Sequence, residues 1–364
     1  MSRKLNKILC SLSLVIPLSL TLIGCEKIQK APYIDDPTHL ENIAINSKVH
    51  FIDTGNSDSI LVENNNEYLL IDAGDNDDDE KIISYLKNEG VTELKYVVMT
   101  HPHADHIGGM DSVIKAFDIS KLISGQGIAN TTTYEKVLNE AKNKGYKLYA
   151  PKDGEKLQLG SGILEFYNAQ NREYGNELNN SSVVVKYTNG EDDFLFMGDA
   201  EKEIENNIKD KIGDIEVLKA GHHGSSSSSS LDFIKAITPE DVVILCGKDN
   251  KYGHPHKEVL EEFNNLNINI YRSDEDGDII FESNGDGEPK TTSSPNNENN
   301  SEVNKETSNI EVSDENIVYF TEKGKSYHKT KDCTALSRSK NILSDTLENA
   351  INKGKSDPCD KCYK

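Results

Sequence analysis

The run His101, Pro102, His103, Ala104, Asp105, His106 follows directly on the apolar residues 96–99. A strand that ends this way delivers three imidazoles and a carboxylate from one tight loop, and these are ligand types that Zn, Mn or Fe select. The spacing is enough to serve two adjacent metal ions. It calls for a fold in which a buried strand ends at an open edge, where other loops bring the remaining ligands and hydrolytic chemistry can follow.

Between residues 43 and 283 short apolar runs alternate with amphipathic stretches. Strands are expected at 49–52, 68–71, 96–99, 163–166, 183–187, 194–197, 242–245 and 268–271. Helices are expected at 78–88, 133–144, 200–208 and 257–265, each with apolar residues three and four apart. This is the pattern of a layered α/β chain. Residues 284–313 are rich in Asn, Glu, Ser, Thr, Gly and Pro and read as a disordered linker, because they cannot bury enough apolar surface to order themselves. An apolar pattern restarts at 317–320 and opens a small module, 314–364, of a size that needs a metal or disulfides to hold it.

The N-terminus has a basic start and an apolar stretch at 8–23, followed by Gly24 and Cys25. That is the anatomy of a secretory signal, short for a membrane span; an uncleaved anchor helix is the competing reading. Residues 22–25 resemble a bacterial lipobox. The expectation is a signal peptide at 1–24, lipidation of Cys25, a tether over 25–46 and a hydrolase domain over 47–283, held outside the cytoplasm by a lipid anchor in the membrane. The formal charge of -22 works against tight nonspecific binding of nucleic acid. Residues 314–364 carry ten Lys and Arg against eight Asp and Glu, so the acidity lies in the larger part. Bound divalent cations would offset some of it locally, and phosphodiester chemistry stays open.

Further ligand types follow other strands. Asp199 comes after 194–197, where one carboxylate could bridge two metals. His222 and His223 come after a strand-like run at 217–219. Adjacent histidines rarely point the same way, so one of the pair is expected as a ligand and the other as a support or substrate contact.

HPHADHIGG at 101–109, MGDA at 197–200 and LKAGHHGSSSSS from Leu218 resemble the metallo-β-lactamase superfamily, specifically the hydrolase domain of the ComEC family of DNA-uptake proteins. FIDTGNSDSILVE at 51–63, NNSSVVVKY at 179–187, YGHPHKEVL at 252–260 and RSDEDGDI at 272–279 support the narrower match. The resemblance implies an αββα sandwich with a metal site at one edge and two divalent ions, Zn or Mn. It implies His101 and His103 on the first metal, Asp105 and His106 on the second, Asp199 bridging, and His222 or His223 completing the second site. Asp105 could instead orient or deprotonate the attacking water. Many members supply another His to the first metal from an intervening strand, and here no His occurs between His106 and His222. Asn179, Asn180, Ser181 and Ser182 occupy that region, which suggests an oxygen-rich first site. His254 and His256 either approach the scissile group or form a surface turn. Residues 225–230, a serine run, read either as a flexible segment or as a turn offering hydroxyls and amides to a phosphate. Asp53, Asp58 and Ser59 read as turn residues, and Asp72 is not expected to bind metal directly.

In the terminal module His328, Cys333, Cys359 and Cys362 make a full tetrahedral ligand set for structural Zn, favoured over a disulfide because three cysteines leave one unpaired. The module resembles the small zinc-binding units of Ada-type DNA-repair proteins. Cys246 is expected to be a buried apolar filler. The functional expectation is a metal-dependent phosphodiesterase or nuclease acting on extracellular DNA; the alternatives are a hydrolase of lactones, lactams or esters, and a non-catalytic surface binding protein. Nothing in the sequence points to a protein partner, and no channel-forming segment suits the chain to transport.

Overall fold

The computed structural model describes residues 46–172, 177–297, 317–321, 325–337, 342–346, 350, 355, 357–359, 361 and 362. The signal segment 1–24, Cys25 with its lipidation, the tether up to residue 45 and the linker from 298 to 313 lie outside the described residues. Among the described residues no helix is long and apolar enough to cross a membrane.

In chain order the first half comprises β1 (Ser47–Phe51), β2 (Ile60–Asn64), β3 (Glu67–Ile71), α1 (Asp79–Asn88), β4 (Glu93–Met99), α2 (Ala104–Ile107), α3 (Met110–Ala116), β5 (Asp118–Ser124), α4 (Thr132–Asn143), β6 (Leu148–Tyr149), β7 (Glu155–Leu159) and β8 (Gly162–Tyr167). The second comprises β9 (Val184–Asn189), β10 (Asp192–Phe196), α5 (Lys202–Ile212), β11 (Val217–Lys219), α6 (Leu231–Ile237), β12 (Asp241–Ile244), α7 (Lys257–Asn265), β13 (Asn269–Arg272), α8 (Ser273–Asp276), β14 (Ile279–Ser283) and β15 (Lys290–Thr291). Two sheets result, ordered β15-β14-β1-β2-β3-β4-β5-β6 and β13-β12-β11-β10-β9-β8-β7.

Side chains on successive strand residues point to opposite faces, and in β4 both faces are apolar. Tyr96 and Val98 join Phe51, Phe166, Phe194 and Phe196 in the core between the sheets. Val97 and Met99 face the other way, onto Ile82 and Leu86 of α1, Val113 of α3 and Val137 of α4, a cluster that Leu94 joins at the start of the strand. The second sheet repeats the arrangement: Leu195, Leu218, Val242 and Ile244 pack on Ile204 and Ile208 of α5, Phe233 of α6 and Phe263 of α7. The four layers are therefore helix, sheet, sheet, helix, the expected αββα sandwich.

The domain does not end at residue 283. β15 pairs with β14, and Asp192, fully buried, accepts from Ser283 Oγ (2.5 Å), Gly285 N (2.9 Å) and Gly287 N (2.6 Å). Asn296 and Asn297 then bind the β13 backbone, Asn297 Oδ1 accepting from Ile270 N (3.0 Å) and Asn296 Oδ1 from Arg272 N (2.9 Å). The stretch 284–297 is thus ordered by hydrogen bonding to the sheets, not by apolar burial, which is why a composition reading placed it in the linker.

His50 in β1 is buried, with Nδ1 2.9 Å from the Tyr85 hydroxyl and Nε2 without a partner. Burial, with Lys48 nearby, lowers it to about 4. A neutral folded imidazole contributes stability above its unfolded pKa near 6.5, and that contribution is lost as pH falls through the folded value. The expected loss is about 3 kcal/mol between pH 6.5 and 4. Urea unfolding of wild type and His50→Leu at pH 7.5 and 4.5 measures it: the variant should show a smaller acid loss, and equal losses would contradict the assignment.

Candidate metal centre

β3, β4 and β5 run parallel, as do β10, β11, β12 and β13. Asp72 follows β3, the histidine loop follows β4, Asp199 follows β10 and the His222–His223 turn follows β11, so all four lie beyond carboxyl ends of parallel strands, where open α/β sheets bind ligands. His103 caps the short helix α2 with extended backbone, and Asp105 and His106 sit on its single turn. His222 and His223 both adopt left-handed backbone (φ 49° and 53°) inside a tight 3-10 turn, Gly221–Gly224.

Asp199 lies at the focus. Its Oδ2 is 3.7 Å from His101 Nε2 and 3.8 Å from His222 Nε2, and His101 Nε2 is 2.9 Å from His103 Nδ1. Its Oδ1 is 3.2 Å from His106 Nε2 and 3.7 Å from His223 Nε2, and the latter is 3.7 Å from Asp105 Oδ2. One carboxylate thus divides the imidazoles into two clusters. Ligands about 2.0 Å from a tetrahedral cation lie about 3.3 Å apart, close to this spacing. His106 Nε2, His223 Nε2 and Asp199 Oδ1 are buried with no hydrogen-bond partner. Buried polar atoms ordinarily have one, so three orphans converging on one point fit a cation.

The electrostatics agree. Burial would raise the Asp199 carboxyl, but His106 and His223 hold it well below the usual range. Burial opposes charge on His106, yet Asp199 and Asp72 lift it well above its ordinary value. Burial likewise opposes charge on His223, and Asp199 and Asp58 raise it to about 9. The carboxylates demand positive charge between them, whether as protonated imidazole or as cation.

A second layer fixes the rings. Asp72, fully buried, takes His106 Nδ1 at 2.7 Å, Thr100 N at 2.8 Å and Thr100 Oγ1 at 2.6 Å. This holds His106 Nε2 toward Asp199, the usual device by which an outer carboxylate orients a ligating imidazole. His223 Nδ1 lies 2.9 Å from the Leu245 carbonyl and 3.3 Å from Asp58 Oδ1. Asp58 Oδ2 is 2.8 Å from Lys219 Nζ, and both side chains are buried. Burial would raise Asp58; Lys219 and His223 hold it down at about 2.

A family model described as the metallo-beta-lactamase superfamily matches residues 52–248. The chain belongs to the metallo-β-lactamase superfamily. Its relatives include ComE operon protein 3 of Bacillus subtilis (31% identical over 55% of this chain and 26% of that one) and Recombination protein 2 of Haemophilus influenzae (26% identical over 71% and 30%). Competence protein ComA of Neisseria gonorrhoeae is 29% identical over 63% and 31%. The chain thus spans between a quarter and a third of the length of these relatives. Among solved structures, the metallo-β-lactamase fold protein YhfI of Bacillus subtilis aligns at a TM-score of 0.47 and 13% identity, covering 65% of this chain and 100% of that one. Igni18, a metallo hydrolase from Ignicoccus hospitalis, aligns at 0.46 and 16% identity, covering 65% and 99%. The chain is a metallo-β-lactamase-superfamily hydrolase related to competence proteins.

His222 and His223, of which one was expected as a ligand and the other as a support or substrate contact, both turn their rings toward Asp199 through the paired left-handed residues. His222 shares Asp199 Oδ2 with His101, so a further imidazole joins that side of the carboxylate. The Asn/Ser run supports the neighbouring turn, with Ser182 Oγ accepting from Asp199 N (3.1 Å) and Asn180 Oδ1 from Glu201 N (3.1 Å). Asn179 Nδ2 sits 3.3 Å from His222 Nδ1, and its Oδ1 has no partner. The serine run is ordered, and its amides are not free for phosphate: Ser229 and Ser230 N both donate to the buried carboxylate of Glu205. Ser227 Oγ does reach His222 Nδ1, at 3.1 Å.

His254 lines a cleft of about 330 Å³ over the centre, with His103, Asp105 and Asn179. Burial, then the neighbouring His222 and His223, lower it to about 4. His256 caps α7 and its Nδ1 accepts from Ser226 N at 2.9 Å. Asp53 Oδ1 accepts from Gly55 N, as a turn residue does. Cys246 is buried, its thiol pushed up to about 12 by burial and by Asp274.

The terminal module contains β16 (Ile317–Phe320) antiparallel to β18 (Leu343–Thr346), and β17 (Ser326–Tyr327) parallel to β19 (Asp357–Pro358). One ligand atom from each of His328, Cys333, Cys359 and Cys362 lies within 4.8 Å of the others. Cys333 and Cys359 sulfurs are 3.9 Å apart, as are Cys362 Sγ and His328 Nδ1, and the cysteines are free thiols. Sulfurs about 2.3 Å from a tetrahedral zinc sit near this separation, whereas a disulfide needs about 2.0 Å.

Asp58 and Lys219 are the partners that sequence reading did not assign to the site. Lys219→Met would leave the buried Asp58 carboxylate without its cation, with only His223 beside it, a loss of about 3 kcal/mol. Urea unfolding should show that loss, with much of it recovered in Lys219→Met/Asp58→Leu; an unchanged midpoint in the single variant would contradict the pairing.

Proposed function

We propose that the chain is a binuclear metal-dependent phosphodiesterase that cleaves DNA outside the cytoplasm, anchored to the membrane through a lipid on Cys25. The observation that carries the metal chemistry is the division of the imidazoles by the two oxygens of Asp199, with three buried polar atoms left unpaired at the second half. In this reading His101, His103 and His222 would hold one cation and Asp105, His106 and His223 the other, with Asp199 shared between them. Zn and Mn both suit imidazole and carboxylate donors. Two divalent ions there would supply Lewis-acid polarisation of a phosphoryl oxygen and activation of water near neutral pH.

The residues of the chain set the geometry for that chemistry. Asp105, on the open side of α2, is placed to ligate and to accept a hydrogen bond from the attacking water. His254, across the cleft and with Nδ1 unpaired, is placed to hydrogen-bond the scissile group or its leaving oxygen. Asp72 and the Leu245 carbonyl keep the Nδ1 atoms of His106 and His223 engaged, so their Nε2 atoms stay directed inward. Support for DNA as substrate comes from the relatives, named as competence and recombination proteins. In the terminal module His328, Cys333, Cys359 and Cys362 would hold a structural Zn, which contributes folding energy to so small a unit.

The test is incubation of purified residues 26–364 with single- and double-stranded DNA in Mn or Zn, beside His103→Ala. The expected result is metal-dependent cleavage that falls at least about a hundredfold in the variant, as loss of a principal metal or oxyanion interaction commonly does, with the far-UV spectrum unchanged. Hydrolysis of a lactam or ester with inert DNA would contradict the phosphodiester assignment.

A further inference from the structure

The loop from β12 to α7 carries features that the metal centre does not use. Residues 247–256 read Gly-Lys-Asp-Asn-Lys-Tyr-Gly-His-Pro-His, which sets two lysines and a tyrosine together on a chain whose formal charge is -22. Tyr252 is 53% exposed, among the most exposed large apolar side chains of the described residues. Its loop is nonetheless held in place. Tyr252 N and His254 N both donate to Asn250 Oδ1, at 3.1 and 3.0 Å, and Asn250 Nδ2 donates to the Gly247 carbonyl at 2.9 Å.

The exposed ring is the outer step of a stack. Tyr252 lies on His254 with centroids 5.7 Å apart and planes 23° from parallel, and His254 lies on His223 at 6.4 Å and 21°. The three rings lead from solvent to the second half of the metal centre. Lys251 Nζ sits 4.9 Å from the Tyr252 centroid. Tyr252 also lines both the cleft over the centre and a neighbouring cleft of about 700 Å³, so its ring stands where the two meet. Lys248 lines a third hollow together with His254, Asp249, Arg272, Asp274 and Glu275.

An exposed aromatic face is what proteins use to hold unpaired nucleotides, because every base has a π-face. In a duplex both faces of a base are covered by its neighbours, so an isolated ring of this kind offers such a strand little. A simple lactam or ester has no aromatic face to lay on it. We propose that Tyr252 is a stacking platform for an unpaired nucleobase beside the scissile phosphodiester, so that the substrate is single-stranded or frayed nucleic acid. This inference rests on the phosphodiesterase reading above.

The test compares two labelled oligodeoxynucleotides in Mn, one intact and one with abasic residues around the cut, as substrates for residues 26–364. The quantity read is the ratio of kcat/KM on the intact strand to that on the abasic strand. Stacking on one aromatic ring is worth about tenfold or more by alanine substitution. The ratio should therefore fall about tenfold in Tyr252→Ala, chiefly through KM, and be retained in Tyr252→Phe. An equal ratio in wild type and Tyr252→Ala, with both strands cleaved, would overturn the platform while leaving the phosphodiesterase standing. Cleavage of neither strand by wild type would overturn the phosphodiesterase reading, and the platform with it.

Discussion

The Asp199 carboxylate is almost wholly enclosed, and four imidazoles approach its two oxygens. A carboxylate held away from water must be met by positive charge or by a full set of donors. Here His106 and His223 face it, each ring backed in turn by a further buried carboxylate, Asp72 or Asp58. Lys219 closes the chain of compensation at Asp58. Removing any member leaves its neighbour uncompensated in a dry interior, so the edge of the sandwich holds its shape as a unit.

The sandwich makes this arrangement possible. β4 and β11 are buried on both faces, which brings the ends of strands from two different sheets to one rim. Residues far apart in the chain, Asp58, Asp72, Asp105, Asp199 and His223, meet there without any of them lying on a long flexible segment. Rigid strands aim short loops, and this suits a centre whose ligands must sit within tenths of an ångström of one another.

The sequence showed the fold well where strands are apolar. The runs at 49–52, 68–71 and 163–166 each became a strand within one or two residues, the run at 96–99 is the end of the longer β4, and the helix at 257–265 matched α7. β5 and β7 were not anticipated, because Asp118–Ser124 and Glu155–Leu159 interleave charged or polar residues with few apolar ones and are partly exposed. α3 follows the metal loop so closely that the Gly108–Gly109 pair masked its start. Of the site, the ligand types were legible in the HxHxDH, Gly-Asp and Gly-His-His patterns. What spacing could not convey was backbone hand: left-handed φ at both His222 and His223 is a property of the turn, and it decides that both rings face inward. Lys219 was hidden by its place inside an apolar strand, where a lysine is legible as a partner only once Asp58 is known to lie opposite. The serine run read either as a flexible segment or as an anion site until Glu205, from α5, proved to take the amides of Ser229 and Ser230.

The central claim is that Asp199 bridges two cations, one on each side of its carboxylate. Anomalous diffraction from crystals grown in Mn addresses it most directly. Two peaks about 3.5–4 Å apart, one beside His101, His103 and His222 and the other beside Asp105, His106 and His223, are the outcome the proposed reading predicts. A single peak, or none at Asp199, would contradict it.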